Sequence, residues 1–297
     1  MRGKRFFLLW AIGLALAIAS TPLRAQAPQN PIKVVASFSI LGDFVKNVGG
    51  NRIDVTSLVG PNGDVHVYAP APQDAKTIAD ARLVVINGLG LEGWLQRLLQ
   101  SSGSKATVVT ASKDVPPLKL GSEVDPHAWQ SVANAQIYVK NIRDALVQAD
   151  GADADYFRQN AERYLAELDA LDREVRSDVD KIPPERRKVI STHDAFGYFA
   201  KAYGIAFVAP SGVSTETEPS ARDIATIIVQ IKKDKIPAVF LENITDDRLM
   251  RRIAEETGAA LGGTLYSDSL TDEKGPVPTY IAMVRHNIKA LTSALGR

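Results

Sequence analysis

The chain contains no cysteine. That excludes disulfides, thiolate metal sites and cysteine nucleophiles together. It also excludes a lipid-carrying cysteine behind an export signal. Histidine is nearly as scarce: His66, His127, His193 and His286 are the only four in 297 residues. Charge of neither sign is in excess, with 35 basic and 34 acidic residues and a formal net charge of +1. Nothing in that balance indicates a nucleic-acid partner. No HExxH-type motif and no G-x-S-x-G nucleophile elbow is present, so the common zinc-protease and serine-hydrolase signatures are missing. Beyond the N-terminus no stretch is apolar and long enough to span a bilayer.

The N-terminus is different in character. "MRGKR" is basic, "FFLLWAIGLALAIAS" is an uncharged apolar run, and "TPLRAQA" brings small residues. This three-part pattern is that of a signal peptide, expected over residues 1–27. The apolar run falls short of the roughly 20 residues a membrane span requires. Cleavage would remove Arg2, Lys4, Arg5 and Arg24 and no acid, which takes the formal charge from +1 to −3. A freely soluble periplasmic protein, expected to be monomeric, fits this pattern.

The rest alternates between β-branched runs and amphipathic stretches. "IKVVASFSI", "IDVTSLVG", "RLVVINGLG" and "KATVVTAS" read as strands, with helices between them. The pattern predicts an N-terminal α/β lobe over residues 32–150. A glycine- and proline-free stretch follows, from Asp153 to Asp180, with Tyr156, Tyr164, Leu168, Leu171 and Val175 along one helical face. It reads as a linking spine helix over 153–181, roughly 42 Å long at helical rise, closed by the prolines of "KIPPERR". The alternation then restarts through "KVISTH", "IAFVAPSG", "PAVFLEN" and "AALGGTLYSDSL", which predicts a C-terminal α/β lobe over 185–297. The fold class is therefore α/β: two lobes, each with a mainly parallel sheet flanked by helices, joined by one long rigid helix.

Three of the four histidines share a setting. His66 lies in "GPNGDVHVYAP" after a predicted strand, His127 in "VDPHAW", and His193 at the end of "KVISTH". Ligands of open α/β sheets bind beyond the carboxyl ends of the strands, and imidazole is the commonest protein metal ligand. A tetrahedral site needs a fourth donor. Asp268 in "TLYSDSL" follows another C-lobe strand and is the best candidate, so two ligands would come from each lobe. His286 lies within the last predicted helix and reads as a packing or solvated residue.

Taken together, "GDVHVYAPAPQD", "DPHAW", "THDAFGYFAKAYG", "STETEPSARDIATI" and "YSDSL" resemble the metal-binding solute-binding proteins of ABC importers, the zinc/manganese cluster. The resemblance covers nearly the whole mature chain. It implies ligands at His66, His127, His193 and Asp268, capture of a divalent metal between two lobes, and delivery to an ABC permease driven by its ATPase. A periplasmic metallochaperone is a candidate further partner. Two departures stand out. Family members often carry proline where this chain has Val65, and the histidine-rich loop of many zinc-dedicated members has no counterpart in "SKDVPPLKLGSEV".

Three imidazoles with one carboxylate favour zinc as the transported ligand, whereas manganese prefers harder oxygen donors. Manganese, or iron, is the alternative within the same importer class. Glu242 in "FLEN", Asp64 and Asp194 are the candidates to orient the imidazoles, and Trp129 and Phe196 the candidates to exclude water. A zinc-dependent hydrolase is the alternative from another class. It would need an open coordination position, so it fails if Asp268 completes the set.

Overall fold

The computed structural model describes residues 31–121 and 123–296; the expected signal peptide lies outside them. In chain order the elements are β1 (Ile32–Phe38), α1 (Ser39–Gly49), β2 (Ile53–Val59), α2 (Pro72–Ala79), β3 (Leu83–Ile86), α3 (Leu95–Ser102), β4 (Thr107–Thr110), β5 (Leu118–Leu120), β6 (Glu123–Asp125), α4 (Val132–Ala149) and α5 (Ala154–Val179). They continue as β7 (Lys188–Ile190), α6 (Gly197–Tyr203), β8 (Ala206–Val208), α7 (Ala221–Asp234), β9 (Ala238–Glu242), α8 (Arg248–Thr257), β10 (Ala260–Leu265) and α9 (Tyr280–Leu295).

β1 and β9 carry near-continuous apolar runs because both of their faces are buried, as expected for the middle of a parallel sheet. One sheet has the order β2-β1-β3-β4 and the other β10-β9-β7-β8. Every strand pairing in both is parallel. Each sheet therefore has a point where successive connections diverge, between β1 and β3 in one and between β7 and β9 in the other. A crevice opens there at the carboxyl ends of the strands.

α5 buries Phe157, Ala161, Tyr164, Leu168, Leu171, Val175 and Val179, at steps of three and four that keep one face inward. The face begins at Phe157 rather than Tyr156. The Tyr156 ring instead lies under the Arg52 guanidinium, 5.5 Å away. α5 packs on α1 and α4 beside the first sheet and on α9 and α6 beside the second. One apolar core runs through these layers, and a smaller one, around Ile190, Ile231 and Val239, lies under α7 and α8.

Two features go beyond the sequence reading. α4 fills a stretch to which no element was assigned, and β5 and β6 form a short antiparallel hairpin. The hairpin delivers the chain to His127. α6 starts at Gly197 rather than directly after His193, because residues 193–196 make a tight turn in which the Ala195 N–H donates to the His193 carbonyl at 2.9 Å. Gly197 then passes so close to the Asp125 carboxylate that any side chain there would collide with it.

Candidate metal centre

His66, His127, His193 and Asp268 converge. Each offers a donor atom, and those atoms lie within 4.8 Å of one another. His66 follows β2, His127 follows the β5–β6 hairpin, His193 follows β7 and Asp268 follows β10. Both sheets therefore contribute from their strand carboxyl ends.

Each loop is restrained from behind. The carbonyl of Val65, the departure noted above, accepts from Trp94 Nε1 at 2.9 Å. The His127 loop is held by Asn87, whose Nδ2 donates to the Pro126 carbonyl at 2.9 Å. Asn87 in turn donates its backbone N–H to Glu92 at 2.6 Å. On the opposite side, Trp129 Nε1 and Gln130 Nε2 donate to the Ser267 carbonyl at 2.9 and 2.7 Å, beside Asp268. The Leu270 N–H donates to Ser39 Oγ at 3.0 Å and the Leu270 carbonyl accepts from Asn62 N–H at 2.8 Å. The Asp268 loop is thus pinned across the ends of β1 and β2.

The donor geometry is directional. Asp268 Oδ2 stands 3.2 Å from the Nε2 atoms of both His66 and His193. Asp268 Oδ1 is 3.7 Å from His127 Nε2, and the His66 and His127 Nε2 atoms are 3.2 Å apart. The three rings meet at 56°, 83° and 68°, so none is stacked on another. Asp268 is fully buried, and neither of its oxygens has a hydrogen-bond partner among the described residues. Its polar neighbours are those imidazole nitrogens, and a buried carboxylate with no other partner is costly. Three nitrogens and a carboxylate facing one point are a donor set that a divalent cation satisfies.

Two further carboxylates sit behind the rings. His127 Nδ1 lies 2.8 Å from Asp125 Oδ1, which also accepts the His127 backbone N–H at 2.9 Å. His193 Nδ1 lies 2.7 Å from Glu242 Oε2, while Glu242 Oε1 accepts the backbone N–H groups of Thr192 and His193 at 2.8 and 3.0 Å. With Nδ1 protonated toward the carboxylate, each ring turns the lone pair of Nε2 inward. Asp64 is placed differently. It accepts the His66 backbone N–H at 2.9 Å and the Thr215 hydroxyl at 2.6 Å, not a ring nitrogen. Asp194 follows His193, and burial pushes its carboxyl up to about 6 against the pull of the His193 charge. Trp129 is fully buried with its ring 5.3 Å from that of His127, and Phe196 stacks on Phe207 at 4.5 Å. His286 Nε2 donates to the Thr264 carbonyl, 3.0 Å away, and packs edge-on against Tyr266.

The sequence reading did not select Asp125. Its signal was present as an acid two residues before the histidine in "DPH", a spacing that lets one carboxylate reach both the backbone N–H and the ring.

Burial alone would hold His193 neutral, but the charges of Glu242 and Asp268 outweigh it and raise its basicity well above that of a free histidine. Burial likewise works to raise Asp268, and the His127 and His193 charges overcome it and hold the carboxyl well below the usual range. Glu242 is lowered in the same way, burial being outweighed by His193. Protons and a cation therefore compete for one cluster of negative charge. Four donors face the point of convergence, the number a closed tetrahedral site uses.

The chain matches the family model "zinc-uptake complex component A periplasmic" over residues 34–294. Among individual proteins, it is 36% identical to the iron-binding protein YfeA of Yersinia pestis, over 100% of this chain and 97% of that protein. It is also 36% identical to the manganese-binding lipoprotein MntA of Halalkalibacterium halodurans, over 90% of this chain and 89% of that protein. Among solved structures, the periplasmic zinc-binding protein TroA of Treponema pallidum superposes with a TM-score of 0.87 at 32% identity, covering 90% of this chain and 100% of that one. A manganese-bound periplasmic metal-binding protein of Candidatus Liberibacter asiaticus superposes with a TM-score of 0.82 at 30% identity, covering 89% and 99%.

Proposed function

The chain belongs to the zinc-uptake complex component A family of substrate-binding proteins of ABC transporters, and from that premise we propose that it captures zinc through His66, His127, His193 and Asp268 and presents it to a membrane permease. A family of binding components is not a family of enzymes, and a set of four donors agrees with that. The observation that carries the metal reading is the convergence of three imidazole nitrogens on a buried carboxylate that has no other polar partner among the described residues.

The preference for zinc rests on donor chemistry. Three nitrogen donors and one carboxylate suit zinc, while manganese is better served by oxygen. The relatives carry different metals in their names, iron, manganese and zinc, so the choice is argued from these side chains alone. Capture replaces protons on the cluster with a cation, and the carboxylates of Asp125 and Glu242 raise the donor strength of two of the imidazoles.

Delivery requires a partner permease and its ATPase, and a periplasmic location after removal of residues 1–27. α5 spans the helices beside both sheets and acts as a strut between an N-terminal lobe over 32–150 and a C-terminal lobe over 185–297. Release then proceeds by movement of the ligand loops rather than by wide hinge closure. Single replacements of His66, His127, His193 and Asp268 by alanine test the site. Each should abolish tight 1:1 zinc binding in equilibrium dialysis and leave the fold intact by circular dichroism. Full retention of tight binding in any of the four would remove that residue from the site.

A further inference from the structure

The four donors are unequally sheltered: His127, His193 and Asp268 are fully buried, whereas His66 retains 7% exposure. His66 is thus the donor residue nearest to solvent, although it too is buried. The segment that bonds to its loop is the connection between β8 and α7, "APSGVSTETEPS", residues 209–220.

This strap touches the two halves of the site at two points. The Gly212 carbonyl accepts the Asp194 N–H at 3.0 Å, directly after His193. Thr215 Oγ1 donates to Asp64 Oδ2 at 2.6 Å, and Asp64 Oδ1 accepts the His66 N–H at 2.9 Å. The strap thus bridges the loop of one sheet's histidine to the loop of the other's. Glu216, Thr217 and Glu218, the next residues, are exposed, so Thr215 is the point at which the strap turns in. Asp64 acts on the backbone of His66, not on its ring, and neither Asp64 nor Thr215 belongs to the converging donor set.

We propose that the hydrogen bond from Thr215 to Asp64 is a latch that sets the rate of metal exchange at this site without setting its affinity. The proposal rests on the metal-site reading above. A latch that ties the His66 loop to the His193 loop raises the barrier to entry and exit alike, because an ion passes only when the two loops part. Removing it should speed both by the same factor and leave their ratio, the affinity, in place. The hydroxyl is the active group, so serine should preserve the latch and valine or alanine should not.

The test is stopped-flow zinc uptake, and zinc release into excess chelator, on the mature wild-type chain and on Thr215→Val, Thr215→Ala and Thr215→Ser. Thermal unfolding of each variant serves as the folding control. The expected result is that uptake and release both accelerate about fivefold in the valine and alanine variants, the factor of one ordinary hydrogen bond. Kd should stay within about twofold, and the serine variant should behave as wild type. Wild-type rates in both valine and alanine variants overturn the latch. So does faster release alone, carried fully into a weaker Kd, because Thr215 would then be positioning His66. Zinc binding by the wild type with unchanged variants defeats the latch and leaves the site standing. No zinc uptake by the wild type defeats both.

Discussion

His193 lies between two buried carboxylates, with Nδ1 2.7 Å from Glu242 and Nε2 3.2 Å from Asp268. One ring is thereby oriented by an acid at the end of β9 and aimed at an acid in the loop after β10. The first prediction concerns this arrangement. Glu242→Gln keeps the size and an acceptor for the two backbone N–H groups but loses the charge behind the ring. Zinc affinity should fall about 10- to 100-fold, the usual effect of removing such a partner, measured by competition with a chelator of known affinity. Asp125→Asn should act similarly through His127. Unchanged affinity in both would show that the carboxylates only hold the loops.

Proton competition gives the second prediction. Only neutral imidazole binds metal, and His193 holds its proton more tightly than a free histidine despite burial, because Glu242 and Asp268 face it. Zinc binding at neutral pH must therefore release protons. Affinity should rise with pH and weaken in mild acid before free histidine would protonate. Calorimetry in two buffers of different ionisation enthalpy reads this directly. Identical heats in the two buffers would contradict it.

A third prediction concerns stability away from the site. Asp43 on α1 accepts the Tyr280 N–H at the start of α9, at 2.9 Å. Burial pushes its carboxyl up from 3.8 to about 6, against the lowering effect of that bond. Between those values the folded state holds the proton more tightly than the unfolded chain. This group's contribution to stability is therefore best below pH 4 and declines as pH rises through 6. The cost at neutral pH is at most about 3 kcal/mol. Asp43→Asn should be as stable as wild type or more so at pH 7, with its advantage shrinking as pH falls from 6 to 4 in urea denaturation. An advantage independent of pH would contradict the assignment.

The fourth prediction separates scaffold from site. Leu171 is fully buried on α5, and Leu171→Ala should cost about 2–5 kcal/mol. Zinc affinity of the folded variant should not change, because α5 contributes no donor. A proportionate loss of affinity would mean that the helix position sets the ligand geometry.

Much of this was legible in residue order. Parallel sheets followed from β-branched runs such as "IKVVASF" alternating with amphipathic stretches. The long helix followed from a run without glycine or proline. His66, His193 and Asp268 were marked by their positions after predicted strands and His127 by the loop "VDPHAW", and the structure brings these four together. Less legible was whatever depends on contacts distant in sequence. Asp64 and Asp194 stand within two residues of ligands in sequence, yet Asp64 serves a backbone N–H and Thr215, a residue 151 positions away. Asp125 reaches its ring only because the chain turns tightly at Pro126. α4 was missed although Val132, Ala135, Val139, Ile142 and Leu146 sit at helical spacing. Its start lies directly behind the non-helical "DPHAWQ" loop, which obscures the change of period.

The central claim is that three imidazoles select zinc, and metal competition on the stripped mature chain tests it most directly. Wild type and His193→Glu are titrated with zinc and then challenged with excess manganese, with bound metal read by elemental analysis. The expected outcome is tight 1:1 zinc in the wild type that manganese does not displace, and a shift toward manganese retention in the glutamate variant. Equal or preferential manganese retention by the wild type would contradict the zinc assignment.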